Sequence, residues 1–253
     1  MSSDKSLTGK TALVIGGAGG IGAAAARLFA EAGAKVAVTH RPGKEAADRA
    51  APLVQALAGE GHVAIPADVA DTKTLLAARE AISRAFGRLD ILVNSAGFTK
   101  PIPHGDLDAL DDDFIDRMFA VNWRGQFAAI RTFAPMLKAS GDGLIVNISS
   151  IAALNGAGSN IAYGAAKAGM DVMGKSLARA LAPQVRVMTV SPGVVSTGFV
   201  PGRGAEFNEK AAASTPLKRV ATAEDVAEAV LACATHLSYS TGATIIVDGG
   251  RSL

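Results

Sequence analysis

A tyrosine and a lysine in the second half of the chain have the residue types and the spacing of a proton-transfer pair. Tyr163 and Lys167 stand four residues apart in a segment whose pattern predicts a helix, so both side chains should lie on one face. Free tyrosine has a pKa of about 10, and a fixed positive charge beside the phenol lowers that value. The pair therefore indicates a general acid and base, although this spacing also occurs in helices without a catalytic role.

Two further polar residues could act with this pair. Ser150 follows the apolar run Leu144–Ile148, thirteen residues before the tyrosine, and its hydroxyl could hold a substrate oxygen. Asn122 lies within the helical pattern Phe114–Leu137, where asparagine has a poor helix propensity. Both have structural alternatives, because Ser149 and Ser150 could only begin a turn and Asn122 could be a packed structural residue.

A glycine-rich segment near the start of the chain could bind phosphates. Residues 16–22 lie between the apolar run Thr11–Ile15 and the helix-forming stretch Ala23–Ala32. In such a strand–turn–helix unit the backbone N–H groups can approach a pyrophosphate, and the helix N-terminus carries a partial positive charge. The segment predicts a dinucleotide site, with a tight packing turn as the alternative, since five of its seven residues are glycine and several motif registers fit.

Short apolar runs rich in Val and Ile alternate with segments of helical periodicity along the whole chain. This alternation predicts an α/β fold with a single-domain, doubly wound (Rossmann-type) parallel sheet of seven strands and helices on both faces. No linker or repeat divides the chain, so one domain should span residues 1–253. The predicted strands are Thr11–Ile15, Val36–Thr39, Val63–Ile65, Ile91–Val93, Leu144–Ile148, Val185–Val190 and Thr244–Val247.

The segment that follows the sixth predicted strand interrupts this regular pattern. Residues 198–216 contain three glycines and two prolines and show no strong periodicity. Ligands bind outside the carboxyl ends of the strands in open parallel sheets, so a segment that leaves this edge could form a substrate lid. An ordinary surface loop is the alternative.

Composition and charge exclude several other classes of protein. The 25 Lys and Arg and the 23 Asp and Glu are scattered, which gives no footprint for nucleic acid or anionic lipid. Residues 1–10 are polar, and the apolar run Ala12–Ile15 is too short for a signal peptide or a membrane span, so we expect a cytoplasmic protein without a membrane partner. The single cysteine, Cys233, lies on an apolar helical stripe and should be buried, and no metal site is expected.

Taken together, these motifs resemble the classical short-chain dehydrogenase/reductase (SDR) family over essentially the whole chain. Ile15–Gly22 resembles T-G-x-x-x-G-x-G, with isoleucine in its first position, and Asn94–Gly97 is similar to N-N-A-G, with serine in its second. Asp68–Val69 is similar to the family's adenine-contacting aspartate segment, and Pro192–Thr197 resembles P-G-x-V/I-x-T. Neither departure removes a catalytic group.

The resemblance implies a mechanism, because the family's Asn, Ser, Tyr, Lys tetrad is complete at Asn122, Ser150, Tyr163 and Lys167. It implies hydride transfer between a nicotinamide and a carbonyl or alcohol carbon. Serine would orient the oxygen, tyrosine transfer the proton, lysine lower the tyrosine pKa and bind ribose, and asparagine hold a water in the proton relay. The residues expected to bind the cofactor are Gly16, Gly20, Ile21, Gly22, His40, Arg41, Asp68, Val69, Asn94, Ala96, Gly97, Tyr163, Lys167, Pro192, Gly193, Val195 and Thr197.

The turn after the second predicted strand bears on which nicotinamide cofactor is used. An NAD enzyme of this type usually carries a carboxylate there for the adenosine ribose hydroxyls. This chain has His40 at that position, and Arg41 beside it could pair with a 2′-phosphate. NADP(H) is therefore favoured and NAD(H) remains possible, since Arg41 could also be an exposed loop residue and Gly19 stands where many NADP-preferring relatives have a second basic group.

Two other functions compete with this interpretation. A 3-oxoacyl-[acyl-carrier-protein] reductase would share the fold and the tetrad, and it would need basic residues to dock an acidic carrier. The candidates for such a patch are Arg131, Lys210, Lys218 and Arg219. From another class, a catalytically silent nucleotide-binding protein would keep the glycine turn without the chemistry.

The substrate itself lies beyond the sequence, but the assembly and the pocket wall can be predicted in outline. The segments Phe114–Leu137 and Ser159–Leu181 are apolar around much of their circumference, and the family commonly pairs such helices across two-fold axes, which favours a homotetramer. They could also simply cover the sheet. The candidate residues for the wall of the substrate pocket are Phe98, Trp123, Asn155, Phe199 and Phe207.

Overall fold

The computed structural model describes residues 6–253, and residues 1–5, where the predicted domain begins, lie outside the described residues. Seven strands form one parallel sheet in the order β3-β2-β1-β4-β5-β6-β7. The strands are β1 Thr11–Ile15, β2 Lys35–His40, β3 Val63–Pro66, β4 Ile91–Asn94, β5 Gly143–Ile148, β6 Val185–Pro192 and β7 Thr244–Val247. The predicted fold class and all seven predicted strands are confirmed.

Helices cover both faces of this sheet, as the alternation of strands and helical segments predicts. The helices are α1 Gly20–Glu31, α2 Lys44–Gln55, α3 Thr72–Phe86, α4 Asp112–Phe119, α5 Gly125–Ala139, α6 Ala152–Asn155, α7 Ile161–Leu181, α8 Ala205–Ala213 and α9 Ala223–Thr235. Ala12 and Val14 of β1 pack in one core with α1, α2 and α9. Leu13 and Ile15 point the other way, into a second core with α3, α5 and α7. Successive residues of a strand face opposite sides, so each strand joins the two layers.

The predicted helix Phe114–Leu137 is not continuous. A π-helical segment, Ala120–Arg124, separates α4 from α5, and the N–H of Gly125 donates to the carbonyl oxygen of Ala120. Asn122 lies inside this segment, and its side chain donates to the carbonyl oxygen of Met118 at 3.1 Å. A side chain that bonds a carbonyl of the previous turn competes with the helical ladder, and such π segments are frequent at functional sites.

The order of the strands reverses at β1, which pairs with β2 on one side and β4 on the other. The connections after these strands therefore leave in opposite directions and open a crevice at the carboxyl edge of the sheet. The predicted lid, residues 198–216, leaves the same edge after β6 and contains helix α8.

Cys233 is buried in α9, as predicted, and burial raises the pKa of its thiol to about 11. None of the helices that the structure describes between residues 6 and 253 is long and apolar enough to cross a membrane. Within the same residues, no group of three or more His, Cys, Asp and Glu side chains is arranged to hold a metal ion.

Candidate active site

A cavity of about 1050 Å³ occupies the crevice at the carboxyl edge of the sheet. Its walls come from the turns after β1 to β6 and from the lid segment. Most of the residues predicted to bind a cofactor line it: Gly16, Gly20, Ile21, His40, Arg41, Asp68, Val69, Ala96, Gly97, Tyr163, Lys167, Pro192, Gly193, Val195 and Thr197. Two predicted residues, Gly22 and Asn94, do not line the cavity.

The glycine turn packs so closely that side chains are excluded at Gly16, Gly17 and Gly22, and a Cβ at Gly17 would lie 2.8 Å from the Val38 Cβ. Gly16 has a φ of 73°, and a Cβ there would lie 2.7 Å from the Cα of Ala96. A Cβ at Gly22 would lie 2.5 Å from the carbonyl oxygen of Gly16. Gly22 thus allows helix α1 to pack closely against the turn, and it does not face the cavity.

Helix α1 begins at this turn with its first N–H groups directed at the cavity. Gly19 occupies the N-cap position and provides no side-chain cap, and the first turn of the helix contains no acidic residue. Gly19, Gly20 and Ile21 all line the cavity. Uncapped N–H groups and the helix dipole suit an anion, so the turn fits the diphosphate of a dinucleotide.

Asn94 is buried at the end of β4, where its amide nitrogen donates to the side-chain oxygen of Asn147 on β5 at 2.9 Å. The two amides tie the carboxyl ends of neighbouring strands together beneath the cavity floor. In this structure Asn94 therefore supports Ala96 and Gly97, which do line the cavity, instead of facing it.

Tyr163 and Lys167 lie on the same face of α7, one turn apart, and both are buried. The Lys167 ammonium is 5.7 Å from the centroid of the Tyr163 ring. It donates a hydrogen bond to the carbonyl oxygen of Ile148 at 2.7 Å. The spacing thus brings the two side chains together as predicted, but the ammonium is bonded to the end of β5.

The electrostatics of this pair follow mainly from burial. Burial raises the pKa of Tyr163 to about 12, and a hydrogen bond from Ser150 and the charge of Arg203 oppose that rise. Burial also lowers the pKa of Lys167 to about 8, against the influence of Asp171. Burial is the largest influence on the Tyr163 pKa, and the charge that lowers it comes from Arg203, so the influence expected from Lys167 stays a prediction.

Ser150 is held in place by the continuation of the sheet beyond its last strand residues. The N–H of Ser149 donates to Val190 O at 2.8 Å, and the N–H of Ile151 donates to Pro192 O at 3.0 Å. These bonds extend the β5–β6 ladder on both sides of Ser150. Its hydroxyl accepts from the N–H of Ala152 at 3.2 Å. Ser150 and Tyr163 both line the cavity, and Ser150 acts to lower the pKa of the phenol, so both hydroxyl groups could bond one substrate oxygen.

Asn122 is fully buried, and its side chain does not line the cavity. Its amide nitrogen donates to the carbonyl oxygens of Phe98 at 3.0 Å and Met118 at 3.1 Å, and its oxygen accepts from the N–H of Phe98 at 3.2 Å. Because both amide protons are engaged, the side chain holds the loop after β4 in place. The water-holding role expected of Asn122 stays a prediction, and the side-chain amide protons do not supply it here because Phe98 and Met118 accept them.

Asn160 is a site residue that the sequence reasoning missed. It caps α7, since its side-chain oxygen accepts from the N–H of Tyr163 at 2.7 Å. Its amide nitrogen donates to Lys100 O at 2.9 Å and to the Thr99 hydroxyl at 3.2 Å. Asparagine just before a helix is a familiar N-cap signal, and it would have been found had the start of α7 been placed at Ile161.

The pocket wall agrees in part with the aromatic residues predicted for it. Phe98, Phe199 and Phe207 line the cavity, and the Phe199 ring lies 6.1 Å from that of Tyr163. Trp123 instead stacks on Phe127, and neither it nor Asn155 reaches the cavity. The sequence reasoning missed the arginines that also line it, which are Arg49, Arg117, Arg203 and Arg251.

Comparisons with known proteins cover nearly the whole chain. Residues 16–252 match the family model described as Enoyl-(Acyl carrier protein) reductase. An uncharacterized short-chain type dehydrogenase/reductase of Sinorhizobium fredii is 38% identical over 96% of this chain and 98% of its own length. The cis-4-hydroxycyclohexanecarboxylate dehydrogenase of Sinomonas cyclohexanicum is 36% identical over 95% and 96%. A solved dehydrogenase/reductase from Sinorhizobium meliloti 1021 has a TM-score of 0.89 at 36% identity and covers 99% of this chain and 98% of that one.

Replacing Asn160 by alanine should destabilise the protein by roughly 1–3 kcal/mol, because it removes the α7 cap and leaves buried backbone groups without a partner. Asn160→Ser keeps an N-cap acceptor and should recover part of this loss. Urea unfolding measures both effects, and hydrogen exchange of the Tyr163 amide should accelerate most in the alanine variant. Unchanged stability and exchange in Asn160→Ala would show that the cap contributes nothing.

Proposed function

This chain belongs to the short-chain dehydrogenase/reductase family of oxidoreductases, and we propose that it transfers a hydride between a nicotinamide dinucleotide and a carbonyl or secondary alcohol. The observation that carries the proposal is that Ser150, Tyr163 and Lys167 line the same cavity as the glycine turn. Membership of an oxidoreductase family argues against the alternative of a catalytically silent nucleotide-binding protein.

The cavity has suitable groups for each part of such a cofactor. The first N–H groups of α1 suit the diphosphate, and Asp68 and Val69 lie where an adenine would extend beyond β3. Pro192–Thr197 would border the nicotinamide, and this segment is fixed because Ser196 N–H donates to Ala221 O at 2.8 Å. When bound, the nicotinamide supplies or accepts the hydride, and the protein positions the substrate against it.

In the direction of reduction, Tyr163 would donate its phenolic proton to the carbonyl oxygen as the hydride reaches the carbon. A pKa of about 12 keeps Tyr163 protonated at neutral pH, which suits a proton donor. Ser150 would hold the same oxygen by a hydrogen bond. Oxidation needs the phenolate instead, and the Ser150 hydrogen bond and the Arg203 charge favour that form.

Tyr163→Phe should lower kcat by on the order of 10²-fold or more while the protein stays folded, because it removes the proton and keeps the ring packed beside Phe199. Nicotinamide absorbance measures the rate. Tyr239, the second of the two tyrosines, is fully exposed, so Tyr239→Phe is the matched control and should keep wild-type turnover. Wild-type turnover in Tyr163→Phe would refute the assigned role.

We propose NADP(H) as the preferred cofactor, with NAD(H) as the alternative. His40 is buried at the end of β2, where its ring nitrogen Nδ1 pairs with the carbonyl oxygen of Arg41 at 2.9 Å, so no carboxylate occupies this position. Arg41 and Arg49 both line this end of the cavity. Arg49 pairs with Glu45 at 3.6 Å, so Arg41 is the guanidinium that chiefly supports recognition of a 2′-phosphate beside the expected adenosine ribose.

The wild-type protein should show a higher kcat/KM with NADPH than with NADH. Arg41→Ala should weaken use of NADPH by roughly 1–3 kcal/mol and leave use of NADH nearly unchanged, because only the phosphate contact is lost. Arg49→Ala measures how much the second arginine contributes to the use of NADPH. Lys44→Ala is the control, since Lys44 is an exposed cation nearby that pairs with Asp48 at 2.7 Å and does not line the cavity.

Two results would contradict this cofactor assignment. Equal losses with both cofactors in Arg41→Ala would mean that the arginine only supports the loop. A wild-type preference for NADH would exclude NADP(H) as the favoured cofactor.

A 3-oxoacyl-[acyl-carrier-protein] reductase remains the second candidate, because one relative is named a putative ketoacyl reductase and the matching family model is described by another reductase of carrier-bound acyl groups. The surface offers it little support. Lys210 pairs with Glu206 at 2.6 Å, and Arg219 forms a bidentate pair with Asp225. Half of the basic patch predicted for an acidic carrier is thus neutralised. The relative named for cis-4-hydroxycyclohexanecarboxylate acts on a secondary alcohol, and we favour a small substrate of that kind.

We also propose that the protein works as a cytoplasmic homotetramer. Val172 and Ile161 on α7 and Leu154 on α6 are 63%, 44% and 52% exposed, which is unusual for large apolar side chains on a helical layer. A two-fold contact between α7 helices would cover them. Light scattering at micromolar concentration should give about four times the 25.6 kDa of one chain. A mass equal to a single chain would exclude the assembly.

A further inference from the structure

The part of the cavity around Tyr163 carries positive charge without an acidic partner. Arg117, Arg203 and Arg251 line the cavity. Asp68 is the only acidic side chain among its lining residues within the described part of the chain, and it lies after β3, at the opposite end. A wall with unbalanced cations favours an anionic ligand over a neutral one.

Of the three arginines, Arg203 combines a free charge with partial burial. Arg117 has no hydrogen bond or ion pair to a described residue either, but it is exposed and lies 5.1 Å over the Phe98 ring, so water screens its charge. Arg251 donates to Ala211 O at 2.9 Å and to the hydroxyl of Ser214 at 2.8 Å, so it is engaged in holding α8. The Arg203 guanidinium stacks at 4.3 Å over the ring of Phe207. No hydrogen bond or ion pair to another described residue occupies its N–H groups. Stacking covers the flat face and leaves the edge of the guanidinium free for an acceptor.

We propose that Arg203 binds a carboxylate of the substrate, and that the protein acts on small oxo or hydroxy acids whose carboxylate lies a few bonds from the reacting carbon. This assignment rests on the hydride-transfer function proposed above. A carboxylate matches the two parallel N–H groups of a guanidinium, which makes the pair stronger and more directional than a neutral hydrogen bond. Phe98 and Phe199 line the same cavity and supply apolar walls for the carbon skeleton.

The surroundings of Arg203 strengthen the case for an anion. Burial lowers the pKa of Arg203, Tyr163 opposes that change, and the neighbouring Arg251 adds to it. A half-buried guanidinium beside a second cation is poorly stabilised until an anion pairs with it. A 3-oxoacyl thioester is neutral near its reacting carbon and would leave Arg203 without a partner.

The test compares charged and neutral forms of the same ketones with the purified full-length protein. The substrates are 4-oxopentanoate, 5-oxohexanoate and 3-oxocyclohexanecarboxylate, each paired with its methyl ester, and the acetoacetyl thioester of N-acetylcysteamine. Wild-type protein should use at least one acid with a kcat/KM about 10-fold or more above that of its ester. The preference should appear mainly in KM, because Arg203 acts in binding.

Removing the charge should remove this preference. Arg203→Gln should lower kcat/KM for the preferred acid by roughly 10- to 100-fold and change the value for the ester by less than about 3-fold. Arg203→Lys keeps a positive charge but lacks the two parallel N–H groups of the guanidinium, so its loss in kcat/KM for the acid should be intermediate. Arg84→Gln removes an exposed arginine on α3, outside the cavity, and should change neither substrate. Melting temperatures establish that the variants are folded.

Several outcomes would overturn the proposal, and each points to a different role. Equal losses for acid and ester in Arg203→Gln, with a shifted pH profile of kcat, would mean that Arg203 acts only on Tyr163. A rise in KM for the cofactor alone would place Arg203 on a cofactor phosphate. A preference for the thioester over the acids that is unchanged in Arg203→Gln would favour the acyl-carrier reductase. If wild-type protein reduced the esters but none of the acids, the carboxylate assignment alone would fail. If it reduced none of these ketones with NADPH or NADH, the hydride-transfer function proposed for carbonyls of this kind would fail as well.

Discussion

The close approach of two backbone turns, the one after β1 and the one after β4, is the constraint on which the rest of the site depends. The ladder between these strands continues into the turns, because the N–H of Ser95 donates to the carbonyl oxygen of Ile15 at 3.0 Å. Gly16 and Ala96 then pass so closely that a Cβ at Gly16 would lie 2.7 Å from the Ala96 backbone. The two turns form the floor of the crevice, and a side chain between them would push apart the two turns where the proposed dinucleotide would bind.

Burial determines the electrostatics above this floor. Tyr163 and Lys167 are both enclosed by α7 and the end of β5, and burial moves their pKa values in opposite directions, to about 12 and about 8. A phenol that holds its proton at neutral pH is a donor, which suits the reduction of a carbonyl. The charge that opposes this effect comes from Arg203 on the lid segment. The proposed substrate binding and proton transfer would thus share one guanidinium, because an anion paired with Arg203 would further favour the protonated phenol.

The sequence predicted the sheet well because its strands are buried on both faces and appear as continuous apolar runs. Ser150 and Tyr163 could be placed together because the carboxyl ends of parallel strands converge at one edge. The role of Asn122 could not be predicted, since it depends on a π segment that tertiary contacts create within an otherwise helical pattern. Helix α8 was missed because its apolar periodicity is weak, and Arg203 because the segment that contains it has no recognisable motif.

Two buried asparagines fix one wall of the cavity, the loop after β4. Asn122 holds Phe98 through both of its backbone groups, and Asn160 holds Thr99 and Lys100 while it caps the helix of Tyr163. Because both amide nitrogens are engaged with protein atoms, the loop after β4 is fixed in one geometry before any ligand arrives. The facing wall, on the lid segment, has no comparable clamp on Arg203 among the described residues. The wall after β4 is thus fixed by buried hydrogen bonds, whereas the stack of Arg203 on Phe207 leaves the edge of its guanidinium unbonded.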